Sequence, residues 1–302
     1  MKCLCIGICQ LDAMYKILKN IPLFTSIYTE IYNYTIFTLS VDEMNNILNN
    51  IVPTCDLVLS QPVSSNYQNT DIYSTAKLRS KIKPGAKHFI VSNCYFTGYD
   101  PIPFQITDET GQTIHLKDIS YIPSLSLPSL LLGNTDQACK DWCNIDGYTN
   151  EELNKNYLVS ITELKKREQK VFDNDFGIDI TISDYIEKNY KTMYLFHTYN
   201  HPTNILLFEL VRRLLNKLKI MEIGIGFGIT TELLGIHSIP PSPAVYIKNN
   251  MTFKYPKFII NSQCYTTKQA MSIYSDILKV SNSDLHNKWL ATIKYGRTKI
   301  NS

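Results

Sequence analysis

The sequence predicts an α/β fold in which a parallel sheet is flanked by helices. Strand-like segments at 2–7, 32–39, 56–60 and 88–92 alternate with helix-like segments that begin near residues 11, 41 and 71. Such alternation is typical of a parallel sheet whose connections are helices. A chain of 302 residues with a hydrophobic fraction of 44% is also large enough to bury a sizeable core.

The first strand and helix lie within residues 3–20, CLCIGICQLDAMYKILKN. The apolar run Cys3–Ile6 predicts a buried strand, and Gly7 supplies backbone freedom where the strand ends. Apolar residues then recur at helical spacing: Leu11, Met14, Tyr15 and Leu18. We therefore expect Cys9 and Gln10 at a helix N-terminus, where unpaired backbone N–H groups favour negative charge.

The next elements follow in order. The aromatic and β-branched run 32–39 predicts a strand, Ser40 opens a helix at 41–50, and 56–60 is the third strand. A helix at 71–82 behind Thr70 and the turn KPGAK lead to the fourth strand at 88–92. Polar segments follow three of these strands: GICQ, SQP and SNCYFTGYDP. Because ligands bind beyond the carboxyl ends of parallel strands, we expect these segments to form one crevice.

The second half of the chain has a different character. Residues 134–190 are richer in Asp, Glu, Asn and Lys and predict a mostly helical insertion, with Asn134 and Ser183 as caps. A strongly amphipathic helix follows the segment HPTN, and residues 250–302 read as a C-terminal extension. The length suits one large domain or two smaller ones, and we predict a single α/β domain over 1–302.

Composition argues against several classes of protein. The net charge is only +3 and no Lys/Arg block is present, which argues against nucleic-acid binding. No run reaches eighteen apolar residues, and no secretory signal is recognisable, so we expect a cytoplasmic protein without a membrane span. The eight cysteines include no repeated CxxC pair, so neither a disulfide framework nor a metal site is expected. The sequence leaves the oligomeric state open.

Three residues are candidates for catalysis. Cys9 could be a thiolate nucleophile with a pKa lowered by the helix terminus, a residue whose neighbouring N–H groups hold an oxyanion, or a buried turn cysteine. Gln10 could donate to a carbonyl or be an ordinary glutamine of a first turn. In HTYNH, His197 and His201 have helical spacing, yet Pro202 argues against a helix and no acidic ligand is adjacent. A general base or a capping histidine suits His201 better than a zinc ligand.

Two further motifs have a functional and an ordinary interpretation. Residues 220–235, IMEIGIGFGITTELLG, resemble the glycine-rich first motif of S-adenosylmethionine-dependent methyltransferases. The prolines that follow and the short remaining chain argue against that fold. Basic residues between 77 and 87 suggest a solvated helix face, although Arg79 could contact phosphate.

Several segments in order, GICQ, FTGYDP, LFHTYNHPTN and IPPSPAV among them, resemble the WcbI-like polysaccharide-biosynthesis acetyltransferase family over residues 2 to about 250. The family motif Gly-Asn-Cys-Gln reads Gly7-Ile8-Cys9-Gln10 here, with isoleucine in place of asparagine, whereas the element Asn200–Asn204 is intact. The resemblance implies an SGNH-hydrolase-like or flavodoxin-like three-layer core, coenzyme A bound in a pocket, and O-acetyl transfer to a sugar of a surface polysaccharide.

On this resemblance we expect acetyl-coenzyme A as the donor and a sugar or glycan as the acceptor, with Cys9 and Gln10 around the thioester and His201 as base. The expected contacts to coenzyme A are Gly7, Gln61, Arg79, Asn93, Tyr99, Asn200 and Asn204. Hydrolysis of glycan esters by the same crevice is the main alternative. A carbohydrate-binding protein without turnover is a further alternative.

Overall fold

In a computed structural model, residues 1–101, 104–105, 121–172, 174, 176–221 and 228–278 are described. The elements up to residue 90 are, in chain order, β1 (Lys2–Gly7), α1 (Cys9–Lys19), α2 (Pro22–Ile27), β2 (Glu30–Thr35), α3 (Val41–Asn46), β3 (Leu57–Ser60), α4 (Thr75–Ser80) and β4 (Lys87–Ile90). They are followed by β5 (Phe104–Gln105), β6 (Tyr121–Ile122), α5 (Leu127–Leu131), α6 (Thr135–Cys143), α7 (Asn150–Gln169), α8 (Ser183–Asn189), β7 (Phe196–Thr198), β8 (His201–Pro202), α9 (Asn204–Leu218), α10 (Pro243–Lys248), β9 (Phe258–Ile260), β10 (Gln263–Tyr265) and α11 (Thr267–Leu278).

The chain divides into two compact units. The first unit comprises Met1–Cys94, Glu163–Ile186 and Asn204–Leu234, and the second comprises Tyr95–Thr162, Glu187–Thr203 and Gly235–Ser302. Helices α6, α7 and α8 confirm the helical character that the sequence predicts for 134–190. The single domain over 1–302, and the description of 134–190 and 250–302 as an insertion and an extension, stay predictions.

The first unit is built on a four-stranded sheet. Its strands run in the order β2-β1-β3-β4, and every neighbouring pair is parallel. The apolar side chains of β1 are buried because both faces of this strand are covered, as the run Cys3–Ile6 predicts. Among the helices of this unit, α1 packs against α9. A parallel sheet flanked by helices confirms the predicted fold class.

Of two predicted helix starts, one is observed and the other is shifted. Helix α3 begins where expected, because Ser40 and Glu43 form a reciprocal capping box, with the Ser40 hydroxyl 3.3 Å from the Glu43 N–H. Helix α4 begins at Thr75 rather than at 71, because Ser74, not Thr70, accepts from the N–H of the third helical residue, Lys77, at 3.0 Å. A short polar residue thus marks each start.

The second unit has its own core. One cluster joins the buried side of α11 to α5 and α6, and it includes Trp142, Phe258 and Tyr274. Aromatic rings also stack around Phe96, whose centroid lies 5.5 Å from that of Phe196. Two short hairpins, β7–β8 and β9–β10, belong to this unit. Within the described part of the chain, no helix has both the length and the apolar character needed to cross a membrane.

Candidate active site

The carboxyl ends of β1, β3 and β4 meet in the first unit, as predicted. We call the residues there the strand-end cluster: Gly7, Ile8, Cys9, Gln10, Gln61, Ser92, Asn93 and Cys94. Gln61 Oε1 accepts from the Ile8 N–H at 3.0 Å, and the Gln10 carboxamide pairs with the backbone of Cys94. Side-chain amides therefore join the turn after the first strand to the segments after the third and fourth.

Cys9 is the first residue of α1 and is half-buried. The pKa of its thiol is raised to about 11, mainly by burial and also by the charge of Asp12, whereas the backbone N–H groups of Gln10 and Cys9 act in the opposite direction. Of the alternatives for Cys9, a thiolate with a pKa lowered by the helix terminus is therefore not supported, because burial outweighs the two N–H groups. A thiol with this pKa is mostly protonated at neutral pH.

Gln10 has a different environment from the expected one. Its side chain is 0% exposed, its Nε2 donates to the Cys94 carbonyl at 2.9 Å, and its Oε1 accepts from the Cys94 N–H at 2.9 Å. This pairing satisfies both backbone groups of Cys94 in a buried place. Gln10 is thus a link between strand ends, and its carboxamide is engaged where a donor to a substrate carbonyl was expected.

Replacing Gln10 with alanine tests this correction. Because the substitution leaves the buried N–H and carbonyl of Cys94 without partners, we expect the free energy of unfolding to fall by about 3 kcal/mol in urea titrations. The matched control is Gln137→Ala in α6, where an exposed glutamine bonds only Asp141 and little change is expected. A normal stability together with a rate loss of ~10²-fold is the result that an oxyanion donor predicts instead.

Asn93 and Gly7 occupy the same edge of the sheet. Asn93 Nδ2 donates to the Pro62 carbonyl at 3.3 Å, whereas its buried Oδ1 has no hydrogen-bond partner among the described residues. A Cβ on Gly7 would lie 2.8 Å from Gln61 Oε1, so only glycine permits this close approach. Asn93 therefore has a buried acceptor without a partner among the described residues, while Gly7 serves the packing of Gln61.

Arg79 does not belong to the strand-end cluster. It lies in the last turn of α4, shortly before β4 begins at Lys87, and its charge acts on His88 near the start of β4. The exposed guanidinium stacks on the Phe176 ring at 4.7 Å from the ring centroid. The expected grouping of Arg79 with the residues at the carboxyl edge is thus not observed, because a helix that returns to the next parallel strand ends at the opposite edge.

His201 lies in β8 of the second unit and is half-buried. The pKa of its imidazole is lowered to about 4, mainly by burial and also by the neighbouring His197 and His237. Its buried Nδ1 has no hydrogen-bond partner among the described residues, and the ring packs edge-on against Tyr121 at 5.4 Å between centroids. The ring is therefore neutral at physiological pH, and burial is the main cause.

Three residues expected to contact coenzyme A have other partners. Asn204, the first residue of α9, donates to the Thr231 carbonyl at 2.8 Å and accepts from the Leu233 N–H at 3.0 Å. The Tyr99 hydroxyl is buried and donates to main-chain carbonyls of the second unit. Asn200 Oδ1 accepts from the Thr198 hydroxyl at 3.0 Å. The carboxamide of Asn204 and the hydroxyl of Tyr99 are used for local structure in this arrangement.

Sequence reasoning missed a buried pair in the sheet. Ser60 Oγ lies 2.8 Å from His88 Nε2, and burial lowers the pKa of His88 to about 4. The parallel register sets Ser60 beside Ile90, so His88 faces the same side of the sheet two residues earlier. The register between β3 and β4 is the feature from which the contact between Ser60 and His88 could have been predicted. Ser60 is 1% exposed, so it is a core group and not an accessible nucleophile.

The second unit also contains a narrow cavity that the sequence did not predict. Aromatic rings line it together with the polar side chains of Asp100, His197 and Thr198. It has room for about one water molecule. In this form it does not accommodate a cofactor the size of coenzyme A.

The described residues give no support to a metal site or to the glycine-rich motif. Among the described residues, no group of three His, Cys, Asp or Glu side chains is placed to hold a metal ion, and the eight cysteines are free thiols. Of the glycine-rich motif, Glu222, Gly224 and Gly226 lie outside the described residues, and Gly228 has a φ of +83°. Nothing in the described residues adds to the methyltransferase interpretation.

Comparison with known proteins identifies relatives of the whole chain. A family model described as "Polysaccharide biosynthesis enzyme WcbI" matches residues 2–222. A solved structure of WcbI superposes with a TM-score of 0.82 at 22% identity and covers 99% of this chain and 98% of its own. That protein is described as a novel polysaccharide biosynthesis enzyme, in a native form without a disulfide bond between coenzyme A and one of its cysteines. No curated protein matches the chain.

Proposed function

The chain belongs to the WcbI family of polysaccharide biosynthesis enzymes, and from this we propose that it is an O-acetyltransferase that moves an acetyl group from acetyl-coenzyme A to a sugar hydroxyl. The observation that carries the proposal is the Cys9 turn at the carboxyl edge of the parallel sheet. There the main-chain N–H groups of Cys9 and Gln10 belong to the first turn of α1, and both lower the pKa of the Cys9 thiol, so they favour negative charge at this place. Such a pair of donors suits the oxygen of a thioester carbonyl as its negative charge develops.

The proposed transfer is direct. The sugar hydroxyl oxygen attacks the acetyl carbon, a C–O bond forms, the C–S bond breaks, and coenzyme A leaves as a thiolate that takes up a proton. The hydroxyl proton passes to a base, for which we propose His201, because its imidazole is neutral at physiological pH. The N–H groups of Cys9 and Gln10 would stabilise the carbonyl oxygen in the tetrahedral intermediate.

Asn93 supports a role of the same edge in binding the donor. Its buried Oδ1 lacks a partner among the described residues, and a buried acceptor gains most from a ligand that supplies an N–H. The pantetheine arm of coenzyme A carries two amide N–H groups. We therefore propose that Asn93 accepts from one of them, with the cofactor sulfur near Cys9. The solved WcbI structure is described as a form without a disulfide bond between coenzyme A and a cysteine, and a description that names this pair supports the orientation by analogy.

A binding and turnover experiment tests the proposal. Coenzyme A and acetyl-coenzyme A at about 100 times Kd should stabilise the folded protein by about 2.7 kcal/mol and raise Tm by several degrees in differential scanning fluorimetry. Release of coenzyme A thiol from the acetyl thioester should then depend on an added sugar acceptor. Adenosine diphosphate and a thioester without the nucleotide serve as control ligands, because each resembles one part of acetyl-coenzyme A.

Three outcomes would contradict the proposal in different ways. Release of coenzyme A at the same rate without an acceptor indicates hydrolysis. Release of acetate from acetylated glycans, without any effect of thioesters, indicates an esterase. Binding of sugars without any turnover indicates a carbohydrate-binding protein.

A further inference from the structure

We propose that Gln61 is a positioning residue, which holds the turn that carries Cys9 in its working conformation without touching the substrate. The inference rests on the proposed role of Cys9. Gln61 follows the last residue of β3 and is 1% exposed, so a ligand at the edge of the sheet has no access to its side chain. Its partners instead belong to the two neighbouring strand ends.

The first contact holds the N-cap residue of α1 in place. Ile8 is the N-cap residue of α1, with an extended backbone (φ −95°, ψ −174°), and isoleucine offers no side-chain acceptor. Gln61 Oε1 accepts from the Ile8 N–H at 3.0 Å, and the Gln61 N–H donates to the Ile6 carbonyl at 3.3 Å. Gln61, the residue after β3, therefore bonds both ends of the turn between β1 and α1.

The second contact fixes the side chain of Gln61 itself. Its Nε2 lies 3.4 Å from Gln10 Oε1 and 3.5 Å from the Ser92 carbonyl, so the amide points between the other two strand ends. Gly7 leaves just enough space for this approach, because a Cβ there would lie 2.8 Å from Gln61 Oε1. The carboxamide orientation is set from both sides, which keeps Oε1 aimed at Ile8.

The consequence concerns which N–H groups remain for chemistry. Gln61 accepts from the Ile8 N–H, and the N–H groups that lower the pKa of the Cys9 thiol are those of Cys9 and Gln10. Without the Gln61 acceptor, the Ile8 peptide is free to rotate towards water, and the half-buried thiol becomes better solvated. Burial is the main reason for the raised pKa of Cys9, so solvation of the turn should move that pKa down towards its usual 9.

The pH profile of Cys9 alkylation by iodoacetamide, with peptide mapping, tests the inference without coenzyme A. In wild-type protein the midpoint should lie near 11. We expect Gln61→Met, similar in length but without an acceptor, to lower the midpoint by roughly one unit or more, so that alkylation at pH 8 is ~10-fold faster. Gln61→Glu keeps an oxygen for the Ile8 N–H, and its midpoint should not fall.

Tyr73→Phe is the matched control, since it also removes one buried hydrogen bond of the first unit, from the Tyr73 hydroxyl to the Leu39 carbonyl at 2.9 Å. It should lower stability without moving the Cys9 profile. An unchanged profile in Gln61→Met, or the same change in Tyr73→Phe, overturns the inference. If Gln61→Met does not fold, hydrogen exchange of wild-type protein decides: the Ile8 amide should be protected, and exchange at the unprotected rate overturns the inference.

The same variants separate this inference from the proposed function. If thioesters neither bind nor react, the proposed acetyl transfer is overturned, whereas the alkylation result still tests the role of Gln61. If transfer is observed, Gln61→Met should lower kcat by ~10-fold with little change in KM for acetyl-coenzyme A, because the residue acts on the turn and not on the ligand.

Discussion

Replacing His201 with glutamine is expected to lower the rate of acetyl transfer by ~10²–10⁴-fold, the usual contribution of a positioned general base. A sugar hydroxyl has negligible acidity at neutral pH, and the neutral imidazole of His201 is able to accept its proton. Glutamine keeps a polar side chain of similar reach but has no basic nitrogen. Steady-state kinetics with saturating acceptor measure the effect, and the affinity for coenzyme A should change little.

His197→Gln is the matched comparison, because it removes a neighbouring histidine of the same second unit. A His201→Gln enzyme with nearly wild-type turnover would falsify the assignment of the base. A loss in His197→Gln alone would transfer the role to that residue.

The pKa of His201 also sets the pH dependence. With a pKa lowered to about 4, the imidazole stays unprotonated down to about pH 5, so the part of the rate that depends on this base should be flat from pH 8 to 5. The same pKa shift makes the folding stability depend on pH. The unfolded chain takes up the proton near pH 6.5 and the folded chain only near pH 4, so the free energy of unfolding falls as the pH drops between these values. A rate that halves near pH 6.5 contradicts a buried base.

The sequence predicted the architecture well because its signals are local. The apolar run of β1, the capping box at Ser40 and the amphipathic pattern of α9 each reflect short-range chemistry, and each appears in the structure. The convergence of strand ends followed from the general behaviour of parallel sheets. The start of α4 was predicted four residues early, because two short polar residues compete as caps and only packing decides between them.

The role of each polar residue at the strand ends was harder to predict. A strand end exposes main-chain N–H and carbonyl groups that need partners wherever they are buried. In this protein Gln10 and Gln61 supply those partners, so two glutamines expected to face a ligand serve the backbone instead. A polar side chain that binds a ligand and one that bonds the backbone have the same sequence pattern at a strand end. Which of the two roles applies depends on long-range packing, here the approach of Cys94 to Gln10.

The Cys9 thiol illustrates a competition that sequence alone does not decide. A helix N-terminus lowers the pKa of a cysteine, and burial raises it. Spacing showed that the helix begins here, but the degree of burial depends on elements distant in the sequence. The outcome, a pKa near 11, favours transfer that does not pass through an acetylated cysteine.

Replacing Cys9 with serine is therefore expected to have two opposite effects. With the disulfide form of coenzyme A at alkaline pH, the wild-type Cys9 thiol should undergo exchange, giving a mixed disulfide with Cys9 and one free coenzyme A thiol, and Cys9→Ser should abolish this adduct completely. Turnover, in contrast, should stay within ~10-fold of wild type, because the N–H donors of Cys9 and Gln10 belong to the main chain and remain. Intact mass and rapid-quench kinetics measure the two effects.

Cys143 and Cys264 are exposed and Cys139 is half-buried like Cys9, so the experiment is best made in a background where all three are serine. That background is its own control: it should retain one adduct, mapped to Cys9, and full transferase activity. Loss of nearly all turnover in Cys9→Ser, together with an acetyl group trapped on Cys9 of the parent, would establish a covalent route instead. The direct route requires that no such intermediate accumulates, since a thiol with a pKa near 11 is almost entirely protonated at neutral pH and attacks a thioester slowly without a base to activate it.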